Sequence, residues 1–155
     1  MQVHEAMTRE VIWISPDVTL AEAARTMKAF DVGALPVCAG ARLVGIITDR
    51  DLAIRATAEG RDPVQTLVSD VMTMEAVCCF EAEPLVTAAH LMRRWQIRRI
   101  VVVDHLGALA GILTLTDLAL NSREPGLAPL VLSSILRPSP RHDQNLMATP
   151  AGARQ

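Results

Sequence analysis

The sequence predicts an α/β protein made of two copies of one β-α-β-β-α unit, followed by a short C-terminal helix and a flexible tail. Three observations carry that prediction. First, the chain repeats itself: Met7-Thr8 recurs as Met72-Thr73, and Leu20, Ala24 and Met27 recur as Leu85, Ala89 and Met92, always 65 residues on. A fixed period of this kind marks a duplicated structural unit. Second, short aliphatic runs alternate with stretches of helical periodicity. Third, Gly45-Ile46-Ile47-Thr48-Asp49-Arg50-Asp51-Leu52 returns as Gly111-Ile112-Leu113-Thr114-Leu115-Thr116-Asp117-Leu118, 66 residues later, so one residue is inserted near His105-Leu106.

The elements follow one order in each copy. Val11 to Ile14 and Val77 to Phe80 are short β-prone runs. Thr19-Leu20-Ala21-Glu22 fits a helix capping box, in which the Thr hydroxyl takes a backbone N–H and the Glu reaches back. Leu20, Ala23, Ala24, Met27 and Phe30 then trace an apolar helical stripe. In the second copy Pro84 is expected in the first helical turn, before Leu85, Ala88, Ala89, Met92 and Trp95. Two strands come next, Ala34 to Cys38 with Arg42 to Ile47, and Arg99 to Asp104 with Ala108 to Leu113. Their nearly unbroken aliphatic character suits strands covered on both sides. Gly40 and Gly107 serve the turns between them. A second helix closes each unit, near Asp49 to Ala58 and Thr116 to Asn121. The turn cluster Glu59-Gly60-Arg61-Asp62-Pro63 marks the boundary. The expected units are therefore residues 1–62, 63–122 and 123–155. The last holds an amphipathic helix over Ala128 to Arg137 and, from Pro138, a Pro-, Ala- and polar-rich stretch of flexible composition.

Composition narrows the function classes. The 155 residues are half apolar with mean hydropathy +0.27, but contain two Phe, two Trp and no Tyr, so small aliphatics must fill the interior. So many aliphatics in a short chain also hint at a buried subunit interface. A net charge of −2 supplies no electrostatic reason to expect nucleic acid or an anionic membrane as partner. No secretory signal and no apolar run near the roughly 20 residues of a membrane span is visible, so a cytoplasmic location is expected. Cys38, Cys78 and Cys79 form no C-x-x-C pair, and His4, His90, His105 and His142 share no ligand spacing. The cysteines and Met7, Met27, Met72 and Met92 read as buried filler. There is no Walker loop, nucleophile elbow or paired His–carboxylate motif.

The sharpest constellation is Thr48 with Asp51 and its copy Thr114 with Asp117, each where a buried strand opens into a helix. Thr followed three residues later by an acid is also an ordinary helix cap. Capping alone leaves the joint recurrence of Gly, two aliphatics, Thr and Asp unexplained. A carboxylate at a helix start can accept both hydroxyls of a ribose, and free helix N–H groups favour a phosphate. A glycine nearby lets a base or sugar approach the backbone. These are the requirements of a nucleoside site.

Leu35-Pro36-Val37 with Leu43 to Leu52, and Arg98-Arg99-Ile100-Val101-Val102-Val103-Asp104 with Gly111 to Leu118, resemble the cystathionine-β-synthase (CBS) domain. The likeness spans residues 3 to about 121, and in tandem such repeats are called a Bateman module, as in small stand-alone bacterial CBS-pair proteins. The resemblance implies packing with pseudo-two-fold symmetry around a cleft with up to two sites for an adenosyl ligand. AMP, ADP, ATP, S-adenosylmethionine and NAD are of the expected type, as regulatory ligands and not required cofactors. It implies that Asp51 and Asp117 hold ribose and that Thr48 and Thr114 meet sugar or phosphate. A basic pair before the second strand commonly meets phosphates in the family. Arg98 and Arg99 occupy that place, whereas the first copy has Gly33-Ala34, so the site around Asp117 is favoured. Adjacent strand residues face opposite ways, so one of the two arginines is expected to reach a given phosphate. Arg50 is a second candidate cation for the first site.

The expected function is thus a non-catalytic regulatory module, paired as a homodimer and acting on an unidentified protein target. Two alternatives stand beside it: a structural or protein-interaction module with an empty cleft, and a thiol- or metal-based stress sensor.

Overall fold

The computed structural model describes residues 1–137. The stretch from Pro138, expected to be flexible, lies outside the described residues. Helix α1 (Leu20–Phe30) leads into the hairpin β1 (Ala34–Ala39) and β2 (Arg42–Thr48). Helix α2 (Asp49–Asp51) continues as a π-helical stretch, Leu52–Thr57. After the 3₁₀ turn Val68–Asp70 come β3 (Thr73–Met74), β4 (Cys78–Phe80), α3 (Leu85–Trp95), β5 (Arg99–Val103), β6 (Leu109–Thr114), α4 (Leu115–Asn121) and α5 (Leu127–Ile135).

The expected capping box starts α1: the Thr19 hydroxyl accepts the Glu22 N–H (3.3 Å) and Glu22 Oε2 accepts the Thr19 N–H (2.8 Å). Pro84 stands one residue before the first turn of α3, as its N-cap. The stripes bury Leu20, Ala23 and Met27 in α1, and Leu85, Ala88, Ala89 and Met92 in α3. Their last members do not follow. Phe30 and Trp95 are each 55% exposed, because both helices end there in left-handed residues, Asp31 and Gln96.

Two three-stranded sheets form, ordered β1-β2-β3 and β4-β5-β6. Strand β4 pairs in parallel with β5 through Cys78↔Val101, Cys79↔Val102 and Phe80↔Val103. Its expected counterpart, Val11 to Ile14, is not a strand. Only Ile14 pairs, with Val37: its N–H donates to the Pro36 carbonyl (3.0 Å) and its carbonyl accepts the Cys38 N–H (2.9 Å). Continuing that parallel ladder backward needs a donor at residue 36, and proline has none. Val101 supplies it in the second copy.

The leading segments are exchanged between the halves. Val3 and Ala6 are buried among Cys79, Leu85, Ile100 and Leu113, in the core of the second half. Val68 and Val71, from the start of the second copy, are buried among Leu20, Leu35, Val37 and Ile47, in the first. Strand β3 pairs with β2, and Thr8 exchanges two hydrogen bonds of 2.9 Å with Ile112 of β6. The hairpin turns also meet: Leu43 N–H donates to the Gly107 carbonyl (3.2 Å) and Leu109 N–H to the Ala41 carbonyl (3.1 Å). Helix α5 buries Leu127 and Val131 in the second core, alongside α3 and α4, and no described helix takes the equivalent place on α1. No described helix is long and apolar enough to cross a membrane.

Candidate functional site

Each Thr–Asp pair is built where β2 or β6 ends and a helix begins. In the first, Asp51 Oδ2 accepts the Thr48 N–H (2.9 Å) and hydroxyl (3.0 Å), while Thr48 Oγ1 accepts the Asp51 N–H (3.2 Å). In the second, Asp117 Oδ2 accepts the Thr114 N–H and hydroxyl, both at 2.7 Å, and Thr114 Oγ1 accepts the Asp117 N–H at 3.2 Å. Both pairs are therefore helix caps, and the cap commits one oxygen of each carboxylate.

The other oxygen separates the copies. Asp51 Oδ1 lies 3.5 Å from the Arg55 Nε, one helical turn on. The equivalent residue of the second copy is Asn121, whose amide instead donates to the Ala6 carbonyl at 3.1 Å. Asp117 has no ion pair, and its Oδ1 no hydrogen bond, among the described residues. Arg55 carried no motif signature; its spacing of four from Asp51, ordinary for a helical ion pair, was the available signal.

The structure brings the arginines to the second pair. Arg99 lies directly opposite Thr114 across the β5–β6 ladder, so their side chains share a face. Arg98 precedes the strand, and its carbonyl accepts the Leu115 N–H at 2.8 Å. Both are exposed and neither forms an ion pair among the described residues. In the first copy Ala34 faces Thr48, and Gly33 lies against Asp49: a Cβ on Gly33 would stand 2.9 Å from Asp49 Oδ2. Arg50 is exposed beside Asp51, its N–H donating to Asp49 Oδ1. The first helix start thus carries Asp49 and Asp51 with Arg50 and Arg55, whereas the second carries Asp117 with Arg98 and Arg99.

The motif glycines serve packing, not approach by a base or sugar. A Cβ on Gly45 would stand 2.7 Å from the Thr73 carbonyl oxygen, and one on Gly111 would stand 2.6 Å from that of Thr8. The protein's own exchanged segments occupy the space over both glycines, where a base or sugar was expected.

Hollows also open elsewhere on the described surface. One of about 440 Å³, walled by Arg9, Trp13, Cys38, Gly40 and Leu109, sits where the N-terminal stretch passes the meeting hairpins. An apolar groove of about 600 Å³ runs between α4 and α5, past Leu115, Leu118 and Leu132. Neither wall includes Thr48, Asp51, Thr114 or Asp117. Cys38 and Cys79 are buried and Cys78 is exposed. Desolvation raises all three thiols above their ordinary range, Cys79 to about 12. No group of three or more His, Cys, Asp or Glu placed to hold a metal occurs among the described residues.

The family model described as "CBS domain" matches the chain twice, over residues 3–56 and 68–124. A curated relative, the CBS domain-containing protein YhcV of Bacillus subtilis (strain 168), is 44% identical over 133 residues, 86% of this chain and 94% of its own length. Among solved structures, the CBS domain pair of protein MJ0100 in complex with 5′-methylthioadenosine and S-adenosyl-L-methionine superposes with a TM-score of 0.68 at 27% identity, over 77% of this chain and 93% of that one. The CBS domain protein PAE2072 of Pyrobaculum aerophilum, complexed with AMP, has a TM-score of 0.70 at 25% identity, over 86% and 99%.

Proposed function

The chain belongs to the CBS-domain family as a tandem pair of repeats, and on that premise we propose that it is a non-catalytic sensor of an adenosyl ligand held at Asp117. The observation that carries this reading is the uncommitted Oδ1 of Asp117, on the face that Arg99 shares with Thr114. A ribose presents two adjacent hydroxyl donors, which a carboxylate with a free edge accepts. A phosphate on the same ligand meets a guanidinium whose planar fork matches its oxygens. Adenosyl compounds in the MJ0100 and PAE2072 structures support the ligand class. AMP, ADP, ATP, S-adenosylmethionine and NAD are the candidates.

Sensing here is differential binding: a ligand that favours one arrangement shifts the population toward it without covalent chemistry. The arrangement read out is self-association as a homodimer, or affinity for a protein target. Exposed Leu120, Leu132 and Leu136 around the α4–α5 groove supply apolar surface for such contacts. A thermal-shift screen of the five candidates tests the reading, since a specific binder raises apparent stability by mass action. One of them raises the melting temperature of the wild type, and Asp117→Ala abolishes the rise while keeping the native circular dichroism spectrum. No shift with any candidate, confirmed by calorimetry, would transfer the protein to the empty-cleft reading.

A further inference from the structure

Arg55 does more than pair with Asp51. Its Nη1 donates to the Val71 carbonyl (3.1 Å) and to the Thr73 hydroxyl (3.2 Å), while its Nε lies 3.5 Å from Asp51 Oδ1. Val71 and Thr73 belong to the exchanged segment that packs on the first half, so the guanidinium is held from both sides. The backbone around it is unusual: Leu52–Thr57 is π-helical, whereas the second copy is α-helical to Asn121 and turns extended at Ser122. Single π turns inside helices frequently mark functional sites.

The second copy shows what the same place does without the arginine. Asn121 makes the equivalent bond, to the carbonyl of Ala6, the counterpart of Val71. That structural tie is therefore common to both halves. Among the described residues, Arg55 alone also sets a cationic group beside a motif carboxylate.

We propose that Arg55 closes the first ribose site, so that each chain takes one adenosyl ligand, at Asp117. Oδ2 of Asp51 already accepts two hydrogen bonds from Thr48, and Oδ1 faces Arg55. A neutral diol must displace this ion pair to bind there, and the guanidinium cannot simply swing aside, because its Nη1 is tied to the Val71 carbonyl and the Thr73 hydroxyl. At Asp117 the diol displaces only water. Arg55 is thus a determinant of stoichiometry.

This inference rests on the ribose-binding reading of Asp117, and calorimetry on the full chain with AMP, ATP and S-adenosylmethionine as probes separates the two. The wild type takes up one equivalent per chain and Arg55→Asn takes up two. Asp117→Ala takes up none, and the Arg55→Asn/Asp117→Ala double variant takes up one. Arg55→Lys, which keeps a cation at this position, stays at one. Arg55→Gln serves as the opening variant if Arg55→Asn loses its native circular dichroism spectrum. Two equivalents in the wild type overturn the inference, and so does one equivalent in a folded Asn or Gln variant. If that single equivalent still vanishes in Asp117→Ala, the sensor reading survives the loss. No uptake of any probe by any variant overturns both.

Discussion

Gly111 lies so close to Thr8 that a Cβ added to the glycine would stand 2.6 Å from the threonine's carbonyl oxygen. Gly45 and Thr73 repeat the relationship at 2.7 Å. The repeated Met-Thr pair and the repeated glycine are thus two sides of one contact, made twice. In each case the leading segment of one copy crosses the second hairpin strand of the other.

Gly111→Ala is expected to destabilise the fold by about 1–3 kcal/mol, the usual range for overpacking. The obstacle is backbone, so trimming the nearby Met7 side chain does not rescue it. Urea unfolding of Gly111→Ala and of Gly111→Ala/Met7→Ala checks this; full recovery in the double variant would move the obstruction to the Met7 sulfur.

Val3→Ala is expected to cost about 2 kcal/mol, from two buried methyl groups and the space they leave. Because Val3 is buried in the second core, hydrogen-exchange protection falls first in β4, β5 and β6. A preferential loss in β1 and β2 would contradict the exchanged arrangement.

The caps and the ligand site separate by paired substitutions. Thr48→Val and Thr114→Val each remove a hydroxyl that caps a helix, at about 1 kcal/mol apiece. Only Thr114→Val also weakens ligand uptake. Equal binding losses from both would show that the two sites are used alike.

Arg99→Ala is expected to lower the affinity for AMP or ATP about tenfold, by loss of a charge-assisted hydrogen bond, while leaving adenosine unchanged. Arg98→Ala has the smaller effect, because adjacent positions turn opposite ways and Arg99 is the one facing Thr114. Fluorescence titration with both ligands gives the comparison, and a reversed order of the two arginines would refute the face assignment.

Burial raises the Cys79 thiol from 9.0 to about 12, with the Glu83 carboxylate and Cys78 adding to the shift. A group whose folded-state value is raised contributes stability that is fully present below its unfolded value and lost as pH rises. Stability therefore declines from about pH 9 toward 12, and Cys79→Ala flattens that decline in urea midpoints measured across pH 8 to 11. In the native protein at pH 8 a thiol reagent labels Cys78 alone, and slowly, because desolvation and Glu83 hold its thiol protonated. Rapid labelling of Cys38 or Cys79 would argue for an open core.

Much of this was legible in the chain because it is local. The capping boxes at Thr19, Thr48 and Thr114 span three residues, and the stripes of α1 and α3 follow one helical period, so neighbouring side chains decide them. The hairpins and their turns at Gly40 and Gly107 are equally short-range, as is the contrast between Arg98-Arg99 and Gly33-Ala34. The failure of Val11 to Ile14 as a strand involves Pro36, more than twenty residues away, whose missing N–H matters only once the partner strand is known. The rest is tertiary. Periodicity exposed the Met-Thr repeat, but only the fold shows that each copy's leading segment lies on the opposite half and fills the space over its glycine. The same crossing brings the Val71 carbonyl to Arg55 and the Ala6 carbonyl to Asn121, and so distinguishes the two aspartates. Sequence alone determined that two capping carboxylates stand at two equivalent helix starts, because their hydrogen bonds close within one turn. Which carboxylate keeps an open oxygen depends on groups brought together from opposite ends of the repeat, and that only the folded chain decides.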